Sequence, residues 1–395
     1  MNADRINTLK EFYQSALYGN VMPFWQDHGV DREHGGFFTC LARDGRVYSS
    51  DKSVWFAGRA AWTYAALYEL SEARTEWLEL ARHGLRFLSD HCFAPSGKMF
   101  FSVDRIGRPL QMRRYVYSEV FATLAFAKVA QVTNDPNLRD KATHTYRAFK
   151  KAIETPGALP PKISSETRPM RALSPLMCHI HVAEVLFALT GDRQYDATIT
   201  ALIEELLRDF VDLDRGIVLE TISGDGSRLD TPEGRVMNPG HAIETAWFVM
   251  EVARRRNDRK LIDTMAKALV ISLERGWDAE FGGLLYFIDV EDKPSPYLEH
   301  EMKLWWPHCE GLYATLLAHH LTGRDEFADW FERIHAWTFG HFPDPEFGEW
   351  FGYLRRDGTP SSTLKGNMWK GPFHIPRALL LCHTLLTEMK NSAPT

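Results

Sequence analysis

Apolar-periodic segments alternate with polar, glycine-bearing stretches along this chain. Six of the segments read as helices with histidine, arginine or glutamate near their first turn. Their predicted starts, 60 to 67 residues apart, are Val54, Tyr115, Pro175, His241, Trp305 and Pro372. A period of this length is typical of a repeated supersecondary unit, so the pattern predicts one unit used six times.

A second series of helices lies between the first six. Apolar residues at spacings of three and four predict amphipathic helices, and residues 5–19 add another of this kind. The other five are WLELARHGLRFL, LRDKATHTYRAFKKAI, YDATITALIEELLRDFV, LIDTMAKALVISLERGW and FADWFERIHAWTF. The sequence therefore predicts twelve helices in six pairs.

The connectors between the pairs also repeat. Five of them begin with glycine, continue into a partly alternating apolar run and reach a turn signal, which predicts short β-hairpins. They are GGFFTCLARDGRVY, GKMFFSVDRIGRPL, GIVLETISGDGSRL, GGLLYFIDVEDKPS and GEWFGYLRRDGTPS. The third connector position, Gly157 to Ala172, lacks this pattern and is expected to be a longer polar loop carrying Arg168 and Arg171.

Six helix pairs that close on themselves form an all-α (α/α)6 barrel, with six inner helices wrapped by six outer ones. A linear solenoid uses the same pair repeat and is the competing architecture. Closure is favoured because six pairs commonly close. It is also favoured because the unusual polar residues lie at corresponding helix starts, which would then meet at one open end of the barrel, its mouth. With no linker-like stretch in the chain, we expect residues 1–395 to form a single catalytic domain.

Composition narrows the classes of partner. The formal net charge is -6 without a long basic run, so nucleic acid and anionic membranes are not expected partners. We expect no bilayer-spanning segment and no signal peptide. The five cysteines form no CxxC pair, which is typical of a reduced, cytoplasmic protein.

Two histidines stand out because they occupy equivalent places at inner-helix starts. His241 follows Asn-Pro-Gly and His374 follows Gly-Pro-Phe. A helix N-terminus lowers the pKa of an imidazole, which favours the neutral base. His241 and Glu244 are three residues apart, as are His181 and Glu184, so each pair can share a helix face. A neighbouring carboxylate would fix the imidazole tautomer and raise its basicity.

Other residues at these starts have structural and functional interpretations. His179 and His181 cannot both face inward on one helix, and we prefer His181 as the inward residue. Trp55, Trp247 and Trp306 fit either a core or a sugar-stacking wall. The His-x-x-Glu order reverses the Glu-x-x-His order of two-metal bundles, aspartates do not cluster, and tryptophans fill the adjacent positions, so we expect no metal.

Five ordered motifs resemble the N-acylglucosamine 2-epimerase superfamily. They are KSVWFAGRAAW, NPGHAIETAWF, KLWWPHCE, DPEFGEWFGYL and KGPFHIPRALLLC, and the resemblance runs from about Trp25 to Cys382. It implies the (α/α)6 barrel and a carbohydrate epimerase or isomerase that works at C2 of a sugar without a redox cofactor or metal.

The resemblance also assigns roles. His241 and His374 match the family's catalytic acid/base pair, and Arg59 matches an arginine held near the sugar O1 and O2. Glu244 and Glu310 match carboxylates that support the histidines or bind hydroxyls. The full set of candidate substrate-binding residues is Trp55, Arg59, Tyr117, His181, Glu244, Trp247, Trp306 and Glu310.

The leading prediction is N-acyl-D-glucosamine 2-epimerase, which interconverts N-acetylglucosamine and N-acetylmannosamine through an enediolate. D-mannose isomerase and then cellobiose-type 2-epimerase are the alternatives. His181 matches a histidine of those two branches, whereas WFGYL and KGPFHIPR look closer to the N-acylglucosamine and mannose isomerase branches. The resemblance further suggests a homodimer, and activation by ATP at the loop before the third inner helix, where SSETRPMRALSP lies.

Two different classes remain as alternatives. An (α/α)6 glycoside hydrolase would need two opposed carboxylic acids, for which Glu119, Glu244 and Glu310 are available. A non-catalytic sugar-binding protein on the same barrel would bind without turnover. Retention of both His241 and His374 favours the epimerase over either alternative.

Overall fold

The structure is a computed structural model and describes residues 1–112, 116–155, 158 and 169–392. The α-helices of this part are α1 (Ala3–Ala16), α2 (Met22–His28), α3 (Val54–Leu70), α4 (Thr75–His91), α5 (Tyr117–Thr133), α6 (Pro136–Glu154), α7 (Leu173–Thr190), α8 (Arg193–Glu205), α9 (Pro239–Arg256), α10 (Arg259–Gly276), α11 (Trp305–Thr322), α12 (Asp325–His341) and α13 (His374–Ser392). π-helical turns at Leu17–Val21 and Leu206–Phe210 join α1 to α2 and extend α8, and a short 3₁₀ helix covers Glu233–Arg235. The inner helices begin within two residues of their predicted starts.

The odd-numbered helices from α3 to α13 form a closed inner ring. Each packs on the next, and α13 packs back on α3. Outer helices α4, α6, α8, α10 and α12 each pack on the inner helix that precedes them, and α1 packs on α13. The (α/α)6 barrel is confirmed and the linear solenoid is wrong, because the ends of a solenoid would not meet.

The two rings differ in their pattern of buried residues. Outer helix α4 buries one face, with Trp77, Leu80 and Leu88 among its buried residues. Inner helix α11 is buried without interruption from Trp305 to His319, since outer helices and connectors enclose it. The expectation that no segment reaches bilayer length was wrong for α7, which is long and apolar enough to cross a membrane by length and composition. Its place in the inner ring, between α5 and α9, accounts for that apolarity.

Short strands lie in the connectors at the N-terminal ends of the inner helices. They are β1 (Cys40–Leu41), β2 (Val47–Ser49), β3 (Lys52–Ser53), β4 (Ser102–Val103), β5 (Pro109–Gln111), β6 (Met170–Ala172), β7 (Val211–Asp212), β8 (Ile217–Val218), β9 (Thr221–Ser223), β10 (Val236–Met237), β11 (Ile288–Asp289), β12 (Lys303–Leu304), β13 (Tyr353–Leu354) and β14 (Pro360–Ser362). The predicted hairpins form as β1–β2, β4–β5 and β13–β14, all antiparallel.

Two of the predicted hairpins were wrong in their pairing. In GIVLETISGDGSRL, β8 pairs with β7 and β9 pairs with β6. In GGLLYFIDVEDKPS, β11 pairs with β10. The reason is a rule that only the closed ring shows: the strand that enters an inner helix takes its partner from the following connector, as β3 does with β4 and β12 with β13. Adjacent connectors are thereby joined around the mouth.

Buried ion pairs fix three connectors further. Lys52 binds Asp31 at 2.9 Å, Lys303 binds Asp278 at 2.8 Å, and Lys365 binds Asp344 at 2.9 Å. All six side chains are at most 2% exposed. A buried charge that loses its partner is strongly destabilising, so these pairs hold the connectors in a defined position at the mouth.

Candidate active site

His374 is the first residue of α13 and lies deep in the mouth, with its side chain 10% exposed. Its Nδ1 lies 2.7 Å from Glu310 Oε1, on α11. An ionised carboxylate can only accept a hydrogen bond, so Nδ1 carries the hydrogen and Nε2 is the basic atom of the neutral ring. Glu310 also accepts from the Trp247 indole NH at 2.8 Å through Oε2. Glu310 therefore supports His374 instead of binding a sugar hydroxyl.

Arg377 lies one helical turn after His374 and joins two carboxylates. Its Nη2 donates to Glu244 Oε1 at 2.6 Å and to Glu310 Oε1 at 2.7 Å, and lies 3.3 Å from His374 Nδ1. Ligand atoms of Glu244, Glu310 and His374 lie within 4.8 Å of one another, close enough to hold a metal ion. The guanidinium already binds both of those carboxylates, so the residues present supply their own cation.

His241 is paired differently. Its backbone NH is capped by the Asn238 side chain at 3.1 Å, behind Pro239 at the first position of α9. Its Nδ1 lies 2.9 Å from Glu220 Oε2, in the connector before α9. The expected partner, Glu244, binds Arg377 instead. The predicted pairing within the helix was therefore wrong, because the imidazole ring of His241 points toward the connector before α9.

The two histidines share one aromatic neighbour but have opposite acidity. The Trp306 ring lies 5.0 Å from the His241 ring and 5.9 Å from the His374 ring, centre to centre. Burial, followed by the charge of Arg377, holds the pKa of His374 well below its usual 6.5. Burial also acts to lower the pKa of His241, but the charge and hydrogen bond of Glu220 outweigh it and raise that pKa above 6.5. The pKa of His374 is lowered as predicted, but the causes are burial and Arg377 and not the helix N-terminus. The predicted lowering was wrong for His241.

Arg59 presents a cation at the same mouth. Its guanidinium lies 3.9 Å from the centre of the Phe121 ring and 5.4 Å from that of Phe373, which precedes His374. Nη1 donates to the Trp369 carbonyl at 3.0 Å, while the buried Nε has no hydrogen-bond partner within the described residues. Burial lowers the pKa of Arg59 to about 10, so it remains charged at neutral pH. It can therefore stabilise an oxyanion.

The segment that carries Trp369 and leads into His374 rests on a buried ion pair. Lys370 Nζ donates to Glu349 Oε2 at 2.5 Å and to the Lys365 carbonyl at 2.9 Å. Lys370 and Glu349 are both fully buried. This pair lies under the backbone that positions Arg59 on one side and His374 on the other.

The remaining candidates lie on α3, α5 and α7. Trp55 is half-buried, with the Tyr117 ring 5.2 Å away, and the Tyr117 hydroxyl lies 2.7 Å from Ser174 Oγ. His181 stacks on Phe248 at 4.1 Å, and burial followed by Arg377 lowers its pKa to about 3. It is therefore a neutral imidazole at physiological pH.

Two expectations about neighbouring residues had different outcomes. His179 points outward as predicted, because its Nε2 lies 2.9 Å from the Tyr146 hydroxyl of α6. Glu184 does not support His181: it binds Arg255 at 2.6 Å. In the third connector, Arg171 pairs with Glu205 and Asp209. The rest of the proposed ATP-responsive segment up to residue 168, with Arg168, lies outside the described residues.

Two residues of this site were missed by the sequence reasoning. Arg377 was noted only for its place in KGPFHIPR, although a buried arginine one turn below a histidine is a signal for a paired carboxylate. Glu220 lies in a connector read only as a hairpin. Its signal was a lone carboxylate in an otherwise apolar run, GIVLET.

The comparisons with known proteins agree with this arrangement. A family model described as N-acylglucosamine 2-epimerase (GlcNAc 2-epimerase) matches residues 36–376. The N-acylglucosamine 2-epimerase of Mus musculus is 38% identical over 382 residues, covering 93% of this chain and 89% of the mouse protein.

Two solved structures are similar at low sequence identity. The cellobiose 2-epimerase of Bacillus thermoamylovorans B4167 superposes with a TM-score of 0.85 at 21% identity, over 97% of this chain and all of that one. A D-mannose isomerase has a TM-score of 0.82 at 19% identity, over 96% of this chain and 98% of that one. At these identities the likeness establishes the barrel.

Proposed function

This chain belongs to the N-acylglucosamine 2-epimerase family and is an isomerase, and from this we propose that it interconverts N-acyl-D-glucosamine and N-acyl-D-mannosamine. The observation that carries the proposal is the pair of histidines around Trp306, each with a carboxylate on Nδ1. Epimerisation at one carbon needs a base on one face of that carbon and an acid on the other. A paired imidazole on each face meets this need.

The reaction begins with the open-chain sugar, whose aldehyde acidifies the proton on C2. Neutral His374 Nε2 takes this proton, and the C–H electron pair moves into the C1–C2 double bond of an enolate with its negative charge on O1. Because C2 of an N-acyl sugar carries nitrogen, this intermediate takes the place of the enediolate that a 2-hydroxy sugar would form. Protonated His241 delivers its Nε2 proton to the opposite face of C2, which inverts the configuration. The reverse reaction exchanges the two roles. The lowered pKa of His374 and the raised pKa of His241 favour the protonation states that this direction requires.

Arg59 has the role of stabilising the negative charge that develops on oxygen. Its guanidinium is held between Phe121 and Phe373 before the substrate arrives, so it needs little reorganisation during the reaction. The Trp306 ring neighbours both proton-transferring rings and is placed to stack on the sugar. Trp55 and Tyr117, both half-buried, neighbour each other at the starts of α3 and α5, and His181 lies on α7.

The acyl group decides between epimerisation and isomerisation. A proton returned to C1 of the enediolate would give a ketose if C2 carried a hydroxyl. With an N-acyl group on C2 this ketose outcome is blocked, and return of the proton to C2 gives the epimer. The 38% identity to an N-acylglucosamine 2-epimerase supports the acylated sugar as substrate.

We propose that this chemistry needs no metal or redox cofactor, because the side chains supply the base, the acid and the cation. Activation by ATP, assembly as a homodimer and a cytoplasmic location stay predictions. Arg171, the described arginine of the third connector, is engaged by Glu205 and Asp209. Nucleotide binding there would have to use residues outside the described ones or displace these pairs.

Proton NMR in D2O tests the proposal directly. The protein is incubated separately with N-acetylglucosamine, N-acetylmannosamine, mannose, fructose and glucose. Deuterium at C2 together with interconversion of the two N-acetyl sugars is the expected result. Conversion of mannose to fructose with both N-acetyl sugars unchanged would make the protein a mannose isomerase.

Absence of exchange with every sugar would contradict both substrate predictions. Cellobiose would then be tested for 2-epimerisation, and oligosaccharides for release of reducing ends. Hydrolysis that survives His241→Ala would favour the glycoside hydrolase. Binding of N-acetylglucosamine without any turnover would favour the non-catalytic sugar-binding protein.

A further inference from the structure

One position recurs in all five glycine-initiated connectors, four residues after the first glycine. The residues at this connector position are Thr39, Phe101, Glu220, Tyr286 and Gly352. Three of them hold the start of an inner helix through their backbone carbonyls. The Phe101 carbonyl accepts from Val54 NH at 2.9 Å, that of Glu220 from Leu173 NH at 3.0 Å, and that of Gly352 from Trp305 NH at 3.1 Å. The backbone role of the position therefore repeats around the barrel.

Side chains at this position reach the residues of the mouth. The Phe101 ring lies 5.2 Å from Trp55, and the Tyr286 ring lies 6.2 Å from Trp306. Glu220 is the one charged residue of the five. Where other connectors place an aromatic ring against a tryptophan, this connector places a carboxylate against His241.

The backbone of Glu220 is held from both sides. Its NH donates to the Val236 carbonyl at 2.9 Å, at the strand that enters α9, and its carbonyl accepts from Leu173, at the start of α7. The next three residues, β9, pair in register with β6. The Glu220 side chain is 14% exposed. A carboxylate on such a fixed backbone can set the orientation of its partner ring.

The other charged groups around His241 have partners of their own. Glu244, Glu310 and His374 also act on it electrostatically, but Arg377 binds both of those carboxylates. Within the described residues, His241 is the one ionic partner that the structure gives Glu220. Glu220 therefore contributes a negative charge that no arginine or lysine of the described residues neutralises.

We propose that Glu220 is the positioning residue of His241: it fixes the Nδ1–H group of the ring, directs Nε2 toward C2 of the sugar, and keeps on the ring the proton that is delivered there. This inference rests on the proposed function. In the step, the Nε2–H bond breaks with its electron pair left on nitrogen, and the C1–C2 electron pair of the enolate forms the new C2–H bond. Glu220 remains ionised throughout.

A Glu220→Gln variant tests the inference with two readouts. The first is ¹⁵N NMR of the imidazoles without substrate, with the His241 signals assigned from a His241→Gln spectrum. We expect the titration of His241 to move to lower pH by about one to three pH units, because an opposite charge beside the ring is lost. The second is kcat against pH: we expect kcat to fall about 10²-fold with its alkaline limb at lower pH, while KM stays near that of the wild type.

Two further variants complete the design. Asp225→Asn removes an exposed carboxylate from the turn of the same connector and should leave the His241 titration and the alkaline limb unchanged. Glu220→Asp retains the charge but shortens the reach, so its titration should lie between those of the wild type and Glu220→Gln. It also replaces Glu220→Gln if that variant does not fold.

The outcomes separate this inference from the proposed function. An unchanged His241 titration and alkaline limb in Glu220→Gln would overturn the role of Glu220, even if the wild type epimerises N-acetyl sugars. A shifted titration in a protein that converts none of the sugars would leave Glu220 as the partner of His241 and contradict the proposed function.

Discussion

The two histidines at the mouth of the barrel, His374 and His241, are each held by a carboxylate but have different charged surroundings. His374 lies among buried charges: Glu310 and Arg377 contact it, and the Lys370–Glu349 pair lies beneath the segment that leads to it. His241 has one close carboxylate, Glu220, and a side chain that is 25% exposed.

The difference in surroundings sets the difference in protonation. A carboxylate that shares its charge with an arginine stabilises an imidazolium poorly, whereas an unneutralised carboxylate stabilises it well. The same residue type can thereby serve as base on one side and acid on the other. A pair of titratable groups whose surroundings push their pKa values apart is a general arrangement for acid–base chemistry.

Removing either histidine should have the largest effect. His374→Asn or His241→Asn should lower epimerisation about 10³-fold, because general acid–base transfer contributes this order of rate. In D2O, each variant should still exchange the C2 proton of one epimer, the one that faces the remaining histidine, without converting it. Exchange of the same epimer by both variants would contradict the assignment of one histidine to each face.

Removing Arg377, the arginine that binds the carboxylates around His374, should have the next largest effect. Arg377→Met leaves Glu244 and Glu310 buried together without their cation, so the free energy of unfolding should fall by about 3–5 kcal/mol in urea titrations. The pKa of His374 should rise, and the acid limb of activity should then lie at higher pH. Arg377→Met/Glu244→Gln, which removes one of the two carboxylates, should recover part of the stability.

A comparison of two lysines tests how far the His374 side depends on buried pairs. Lys370→Met should lower the free energy of unfolding by about 3 kcal/mol, since it strands Glu349 in the interior. The matched control is Lys128→Met at the other ends of α3 and α5, where Lys128 binds Glu69 at 2.7 Å with both side chains partly exposed. Its cost should be about 1 kcal/mol or less. Equal losses in chemical denaturation would mean that burial of the Lys370 pair is unimportant.

The dependence of wild-type activity on pH tests the opposite pKa shifts of His374 and His241 without any mutation. The active form has neutral His374 and protonated His241. Activity should be lost at low pH when His374 gains a proton, below 6.5 because its pKa is depressed, and at high pH when His241 loses one, above 6.5 because its pKa is raised. A bell-shaped plot of kcat against pH with limbs on either side of 6.5 is expected. A profile with both limbs on one side of 6.5 would contradict the opposite shifts.

Much of the fold could be predicted from the sequence because the apolar spacing that indicates a helix pair is local. Period and amphipathicity placed the twelve helical segments and the inner-helix starts. His241 and His374 were chosen because they occupy equivalent starts, and Arg59 was chosen from the family resemblance. The strand partners of GGLLYFIDVEDKPS were misread, because β11 pairs with β10 about fifty residues earlier in the chain. Nothing within a single connector specifies a partner at that distance.

The partners of the candidate site residues were harder to predict. Spacing of three residues suggested that Glu244 would support His241 and that Glu184 would support His181. In the structure these carboxylates bind Arg377 and Arg255 from other helices. Helical spacing says which residues share a face, but a carboxylate takes the strongest donor within reach, and in both cases that donor comes from a different helix.

By itself, the sequence determined the repeat and the six helix pairs and singled out the two histidines, since these follow from local periodicity and from residues at corresponding helix starts. Only the tertiary structure decided that Glu220 serves His241 while Glu310 and Arg377 serve His374. Acidity depends on which charges lie within a few ångströms, and ring closure alone brings α9, α11, α13 and their connectors to that distance.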